Sequence, residues 1–202
     1  MTLKELTRPV VMVHGLWDSP EIFNPLVNKL DQPPSKIFLP FLPHKLGKVP
    51  IRNLAFELHQ QISIQFASDV SIDLLGFSMG GLISRVWMHE FGGSTRTKRF
   101  FSIGSPQQGT LTAQLVPSSV LAGIADMKLG SELIRSFEKH KPLSRTVECI
   151  SFFCFSDLMV FPGWRAVLPY GRHKSVPVIS HKSLISHKIS LDLLADELLT
   201  VD

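Results

Sequence analysis

The sequence predicts an α/β protein with a mostly parallel central sheet covered by helices on both faces. Two observations lead there. Short apolar runs alternate with segments of helical periodicity along the chain, and the runs are apolar throughout, as strands buried on both faces require. A third bounds the size: 202 residues, 44% of them hydrophobic and only 19% charged, suffice for one sizeable core, so a single domain over 1–202 is expected.

The elements follow in order. "RPVVMVHG" is an apolar run ended by glycine and reads as a buried strand. "SPEIFNPLVNKL" reads as a helix, with Ser19 as N-cap and Pro20 in its first turn. "KIFL" is a short strand that leads into a proline-rich, rigid loop. From Ile51 onward, Leu54, Ala55, Leu58 and Ile62 recur at helical spacing and form one face. A strand over about 71–76 runs into a helix over about 79–90, which Gly92 and Gly93 stop. "KRFFSIG" and "VECISFFCF" are further strands, and "SVPVIS" is expected to be the last, before an amphipathic "SLISHKISLDLLADELL". Between the third and fourth units, 105–146 breaks the rhythm with a mainly helical insertion.

Composition narrows the function classes. Twenty-one basic and seventeen acidic residues give a net charge of +4, scattered instead of concentrated, which argues against nucleic acid as a partner and leaves transient membrane-surface contact open. Cys149 and Cys154 are five apart in one strand-like segment, so their side chains face opposite sides and read as buried free thiols. Without a disulfide framework or a cleavage-like leader, a cytoplasmic location is expected. No run reaches the roughly eighteen apolar residues of a membrane span, and no metal-ligand spacing such as HExxH or paired cysteines occurs, so no metal is expected.

The informative junction is Gly76-Phe77-Ser78-Met79-Gly80, a G-x-S-x-G pattern where a strand turns into a helix. A serine there sits on strained backbone, and neighbours without a β-carbon avoid the adjoining strand and helix. The turn lifts the hydroxyl above the sheet and aims a helix N-terminus at it. A serine hydroxyl needs a base within hydrogen-bond reach and a third group to hold that base's tautomer. In a parallel sheet these come from residues just past strand carboxyl ends. Asp157 directly follows "VECISFFCFS" and is preferred as the acid over Asp73, Asp126, Asp192 and Asp196. His181 directly follows "SVPVIS" and is preferred as the base, with His187 the alternative inside the terminal helical pattern. His59, His89, His140 and His173 read as surface residues. An oxyanion formed on attack by Ser78 needs preorganised donors. The backbone N–H of Met79 is one candidate, and that of Leu16, with Trp17 second, is the other.

At these residues the chain resembles the α/β-hydrolase superfamily, and within it small bacterial lipases and esterases. The resemblance is carried by "PVVMVHGLWDSP", "DLLGFSMGGLISR", "IGSPQQGT", "ADMKLGSELI", "FSDLMVFP" and "VISHKSLI", in family order. It implies an α/β-hydrolase fold, a central sheet flanked by helices with a helical cap or insertion, and carboxylic ester hydrolysis through an acyl-enzyme without a cofactor. In "GSPQQGT" a serine and a glutamine stand where relatives usually have threonine and histidine, which weakens any substrate inference from that loop.

The insertion carries Leu111, Leu115, Val120, Leu121, Ile124 and Met127, an apolar set that in such relatives often lies over the acyl pocket. Trp17, Phe41, Leu42 and Trp164 are further rim candidates, since ester clefts are mainly apolar. The expected substrate is therefore an acyl ester, of a lipid in the sharpest form of the reading. A thioesterase or acyltransferase with the same three residues, or a non-catalytic binding protein on the same fold, are the rival readings. Acyl length, head group and oligomeric state are not legible in the sequence.

Overall fold

The computed structural model describes residues 5–117 and 121–200. Six strands form one parallel sheet in the order β2-β1-β3-β4-β5-β6. They are β1 (Val10–Val13), β2 (Ile37–Phe38), β3 (Ile72–Phe77), β4 (Thr97–Ile103), β5 (Glu148–Phe153) and β6 (Arg172–Ser175). Strands β1, β3, β4 and β5 occupy the interior, and their near-continuous apolar sequence follows from burial on both faces.

Alternation along each strand divides the core in two. Val11, Val13, Leu74, Phe100 and Cys149 face one side, where they pack with α2 (Ile51–Gln65) and α3 (Met79–Glu90). Val10, Met12, Leu75, Phe77, Phe101, Ile103, Ile150 and Phe152 face the other, against α1 (Asn24–Leu30). The two cysteines are free and buried, Cys149 in the first cluster and Cys154 in the second, as period-two geometry requires. Leu54, Ala55, Leu58 and Ile62 form the buried face of α2.

Asp73, fully buried within β3, accepts from Arg99 at 2.5 Å and from Arg8 at 3.2 Å. Arg99 also donates to the carbonyls of Glu197, Leu198 and Thr200 at the end of the last helix. A cation there satisfies carbonyls that a helix C-terminus leaves without partners. Asp73 is therefore an anchor between sheet and helix.

Four expectations are corrected. The last strand is Arg172–Ser175, and "SVPVIS" mostly follows it. Val176 still bonds to the carbonyl of Phe153, but Pro177 has no N–H to continue the ladder. Being an edge strand, β6 is polar and largely exposed, which hid it from a search for apolar runs. The terminal helix is two: α6 (Ser183–Ser186) and α7 (Lys188–Leu198) meet at an extended His187, whose Nδ1 accepts from the Ile189 N–H. The segment after Ser19 begins as a tight turn over Pro20–Phe23 before α1, and Ser19 makes no side-chain cap. The insertion holds only short helical pieces, one-turn segments at Thr112–Leu115 and Leu143–Arg145 with α4 (Ala122–Ala125) and α5 (Glu132–Lys139), joined by irregular chain; Val120 lies outside the described residues.

Candidate active site

Chain order reverses between β1 and β3, since β2 lies on one side of β1 and all later strands on the other. Crevices for ligands open at the carboxyl ends of strands flanking such a reversal. Ser78 stands there, between β3 and α3, with φ 54° and ψ −127°. A non-glycine residue in that region costs about 1–3 kcal/mol and persists only where its surroundings enforce it. Here they do: the Ser78 N–H donates to Ile103 O at 2.9 Å, and its carbonyl accepts from the Gly81 N–H at 3.1 Å. The flanking glycines are compelled by contact. A β-carbon at Gly80 would lie 2.0 Å from the Val13 carbonyl oxygen, and one at Gly76 would lie 2.5 Å from the Gly81 α-carbon.

Asp157 follows β5 and is 1% exposed. Its Oδ1 accepts from the Met159 N–H at 2.8 Å and the Val160 N–H at 2.9 Å, and its Oδ2 meets His181 Nδ1 at 2.7 Å. The loop is stitched to the insertion through Thr110, whose hydroxyl accepts from the Phe161 N–H at 2.9 Å and donates to the Met159 carbonyl at 3.1 Å. The His181 ring rests near Phe77, with centroids 4.9 Å apart. Its Nε2 is buried and has no hydrogen-bond partner among the described residues. With Nδ1 turned to a carboxylate, Nε2 is the nitrogen left to accept a proton. His181 and Ser78 line the same pocket. His187, the alternative, is exposed and caps α7 instead.

That pocket measures about 100 Å³ and is lined mainly by Leu16, Trp17, Pro106, Ala113, Val116, Ile124, Met127 and Val160 beside the polar Asp18, Thr110 and Thr112. Trp17, Ile124 and Met127 among the expected apolar residues are there. Phe41, Leu111, Leu115 and Trp164 are not: all four are exposed, Leu115 to 87%. Leu42 is fully buried in the core. Which side chain of these segments turns inward is set by tertiary bonds such as that from the Leu111 N–H to the Phe161 carbonyl.

Leu16 belongs to the turn after β1, close enough that a β-carbon on Gly15 would lie 2.7 Å from the Ser78 β-carbon. His14 holds this turn. Its Nδ1 donates to the Gly15 carbonyl at 3.0 Å, and its Nε2 accepts from the Leu42 N–H at 3.0 Å, a neutral tautomer. Burial lowers its pKa, chiefly by desolvation, and so keeps it neutral. Met79 is the first residue of α3, so its N–H has no acceptor within the helix.

Sequence reasoning missed Asp18, whose carboxyl lies in the pocket. Burial raises its pKa, partly opposed by the nearby His181 and His14. It also missed that His89 and His140 are half-buried and stacked at 4.6 Å, not surface residues. Burial, with the charge of Arg85 and then His140, lowers His89 to about 4.

No protein-family model matches the sequence, and no curated protein matches it. Solved structures do match. The mature form of Bacillus licheniformis lipase BlEst2 is similar with a TM-score of 0.71 at 16% identity, over 97% of this chain and 93% of that one. Aspergillus fumigatus lipase B gives 0.76 at 17%, over 96% of this chain and 52% of that one. MGS-MChE2, an α/β hydrolase from a lagoon-sediment metagenome of Mar Chica, Morocco, gives 0.67 at 17%, over 96% and 91%. The chain thus has the α/β-hydrolase fold, and its structural resemblance is to lipases and esterases.

Proposed function

We propose that this protein is a serine hydrolase of carboxylic esters. The reading is carried by one arrangement: Ser78 on an enforced, strained turn, sharing a pocket with a buried, unpartnered His181 Nε2 whose ring is held by Asp157 at 2.7 Å. In the proposed cycle, Ser78 Oγ attacks the acyl carbonyl while His181 Nε2 takes its proton. Asp157 fixes the tautomer and stabilises the imidazolium, and the Leu16 and Met79 N–H groups receive the oxyanion. His181 returns the proton to the leaving alcohol, and water repeats the sequence on the acyl-enzyme to free the acid. The same residues would serve a thioester equally well, so thioesters belong in the assay.

A lipid ester is the substrate the surroundings favour. Loops beyond the strand carboxyl ends expose Trp17, Phe41, Leu46, Leu111, Leu115, Phe155, Leu158, Phe161, Trp164 and Ile179. Exposed apolar side chains gathered on one end of a molecule suit contact with lipid. The pocket of about 100 Å³ is small beside the roughly 300–1,000 Å³ of usual ligand pockets, so the remainder of a long acyl chain would lie along this rim. Lipases among the structural neighbours support the same substrate class.

The test is labelling by a fluorophosphonate ester, followed by turnover of p-nitrophenyl esters of rising chain length and of phospholipid vesicles. Wild type should label and Ser78→Ala should not. Monomeric short-chain esters should be cleaved faster than monomeric long-chain ones, and long-chain esters should gain when presented on a surface. Equal labelling of wild type and Ser78→Ala would move the nucleophile to another residue, and no labelling of either would leave a binding protein.

A further inference from the structure

Across the 105–110 segment from Ser78 lies a second cavity of about 630 Å³. Among the residues that line it are three arginines, Arg85, Arg135 and Arg165, with His140 and a single acidic residue, Glu138. Arg85 projects from α3, the helix that Ser78 heads, and is only 3% exposed. Its Nη1 donates to the carbonyl and to Oε1 of Gln107, both at 3.2 Å, and its guanidinium lies 4.0 Å from the centre of the Phe137 ring. Among the described residues no carboxylate bears on its charge.

Three donors on residues that line the cavity, Arg85 Nε, Arg165 Nε and the Tyr170 hydroxyl, are buried just behind its surface and have no hydrogen-bond partner of normal geometry among the described residues. The hydroxyl lies beside both the Arg85 guanidinium and the Leu143 backbone, near enough for each to bear on it, without a hydrogen bond of normal geometry to either. Arg165 Nη1 donates to the Gln108 carbonyl at 3.0 Å, and the guanidinium lies 4.9 Å from the centre of the Trp164 ring. A buried cation without a counter-ion and buried donors without acceptors are costly, and an anion seated against Arg85, with the partly exposed Arg165 and Tyr170 side chains turned toward it, would offset both. Guanidinium edges suit the paired oxygens of a carboxylate or phosphate, and the cavity is far larger than either group alone.

We propose that this cavity binds a small organic oxyanion, a carboxylate or a phosphate ester with a polar body, held by Arg85, Arg165 and Tyr170. The site is separate from the ester pocket and stands or falls independently of the hydrolase reading. Both cavities share one wall, since Gln107 and Gln108 line this one and Pro106 and Thr110 the other.

The test uses the Ser78→Ala protein, so that turnover plays no part, and titrates inorganic phosphate and acetate by calorimetry against chloride at matched ionic strength. Saturable heat with phosphate or acetate is expected, and the stronger of the two names the head group. Arg165→Gln, on a turn at the rim, should weaken that binding at least tenfold with thermal unfolding unchanged in chloride. Arg85→Gln should abolish it if the variant folds. Indistinguishable titrations of all three anions, or binding that survives Arg165→Gln unaltered, would overturn the site.

Discussion

Replacing Asp157 by asparagine tests the proposed chemistry through a single atom. The two sides of this carboxylate are not equivalent. Oδ1 accepts two backbone N–H groups, of Met159 and Val160, and Oδ2 meets His181 Nδ1. An amide must place its oxygen on the first side, because the reverse orientation gives up two hydrogen bonds and sets an NH₂ against two N–H donors. At about 1 kcal/mol net per bond, plus about 1–3 kcal/mol for each buried donor left unsatisfied, the reverse is several kcal/mol less favourable. The NH₂ therefore faces His181 and forces Nδ1 to accept, which puts the ring proton on Nε2, where it blocks proton transfer from Ser78. A wrong tautomer in a serine triad costs roughly 10⁴-fold in kcat, equivalent to about 5.5 kcal/mol of barrier. Measured kcat for p-nitrophenyl butyrate should fall by about that factor, while thermal unfolding moves by only a few degrees. An Asp157→Asn enzyme that kept a tenth of wild-type kcat would refute the assignment of Asp157 as the group that sets the imidazole's tautomer.

Three further outcomes are expected. The folded-state pKa of His89 is lowered from 6.5 to about 4, so between those values the unfolded chain takes up a proton that the folded one refuses, and stability is lost as pH falls through that window. The full difference would be about 3 kcal/mol, which solvent screening of this partly exposed ring reduces to about 1–2 kcal/mol. Urea unfolding at pH 7 and 4.5 should show this loss in wild type but not in His89→Gln, and equal losses would exclude His89 as the source. Gly15→Ala puts a methyl group 2.7 Å from the Ser78 β-carbon, and displacing the nucleophile by about 1 Å should cost on the order of 100-fold in kcat/KM; a variant with unimpaired turnover would show that the turn yields freely. His187→Ala should leave turnover intact and lower stability by about 0.5–1 kcal/mol, the worth of a lost helix cap, whereas a collapse of kcat would reverse the preference for His181.

Much of this site was legible because its constraints are local. Gly76 and Gly80 are glycines for contacts within a few ångströms of Ser78, and Asp157 lies just beyond an apolar strand that any periodicity search finds. Strand β6 was misplaced because an edge strand need not be apolar, and its neighbour "SVPVIS" is apolar for a different reason: Val176 and Val178 are buried in the core cluster that also holds Leu184 and Ile185. The pocket lining was half legible, since Ile124 turns inward and Leu115 outward according to bonds made between distant loops. Arg85 looked like any basic residue on a helix. Only the packing of Phe137 and Tyr170 around it reveals a charge enclosed within the protein.

The imidazole has the weakest mooring of the three groups. Ser78 and Asp157 leave interior strands, whereas the chain reaches His181 from β6, an edge strand paired only with Ile150–Phe153 of β5. Edge elements with exposed hydrogen bonds open at lower free energy than the body they border. Mild denaturant should thus extinguish turnover while circular dichroism still reports an intact sheet, so that the molecule's working life ends with the peeling of one outer strand, well before its collapse.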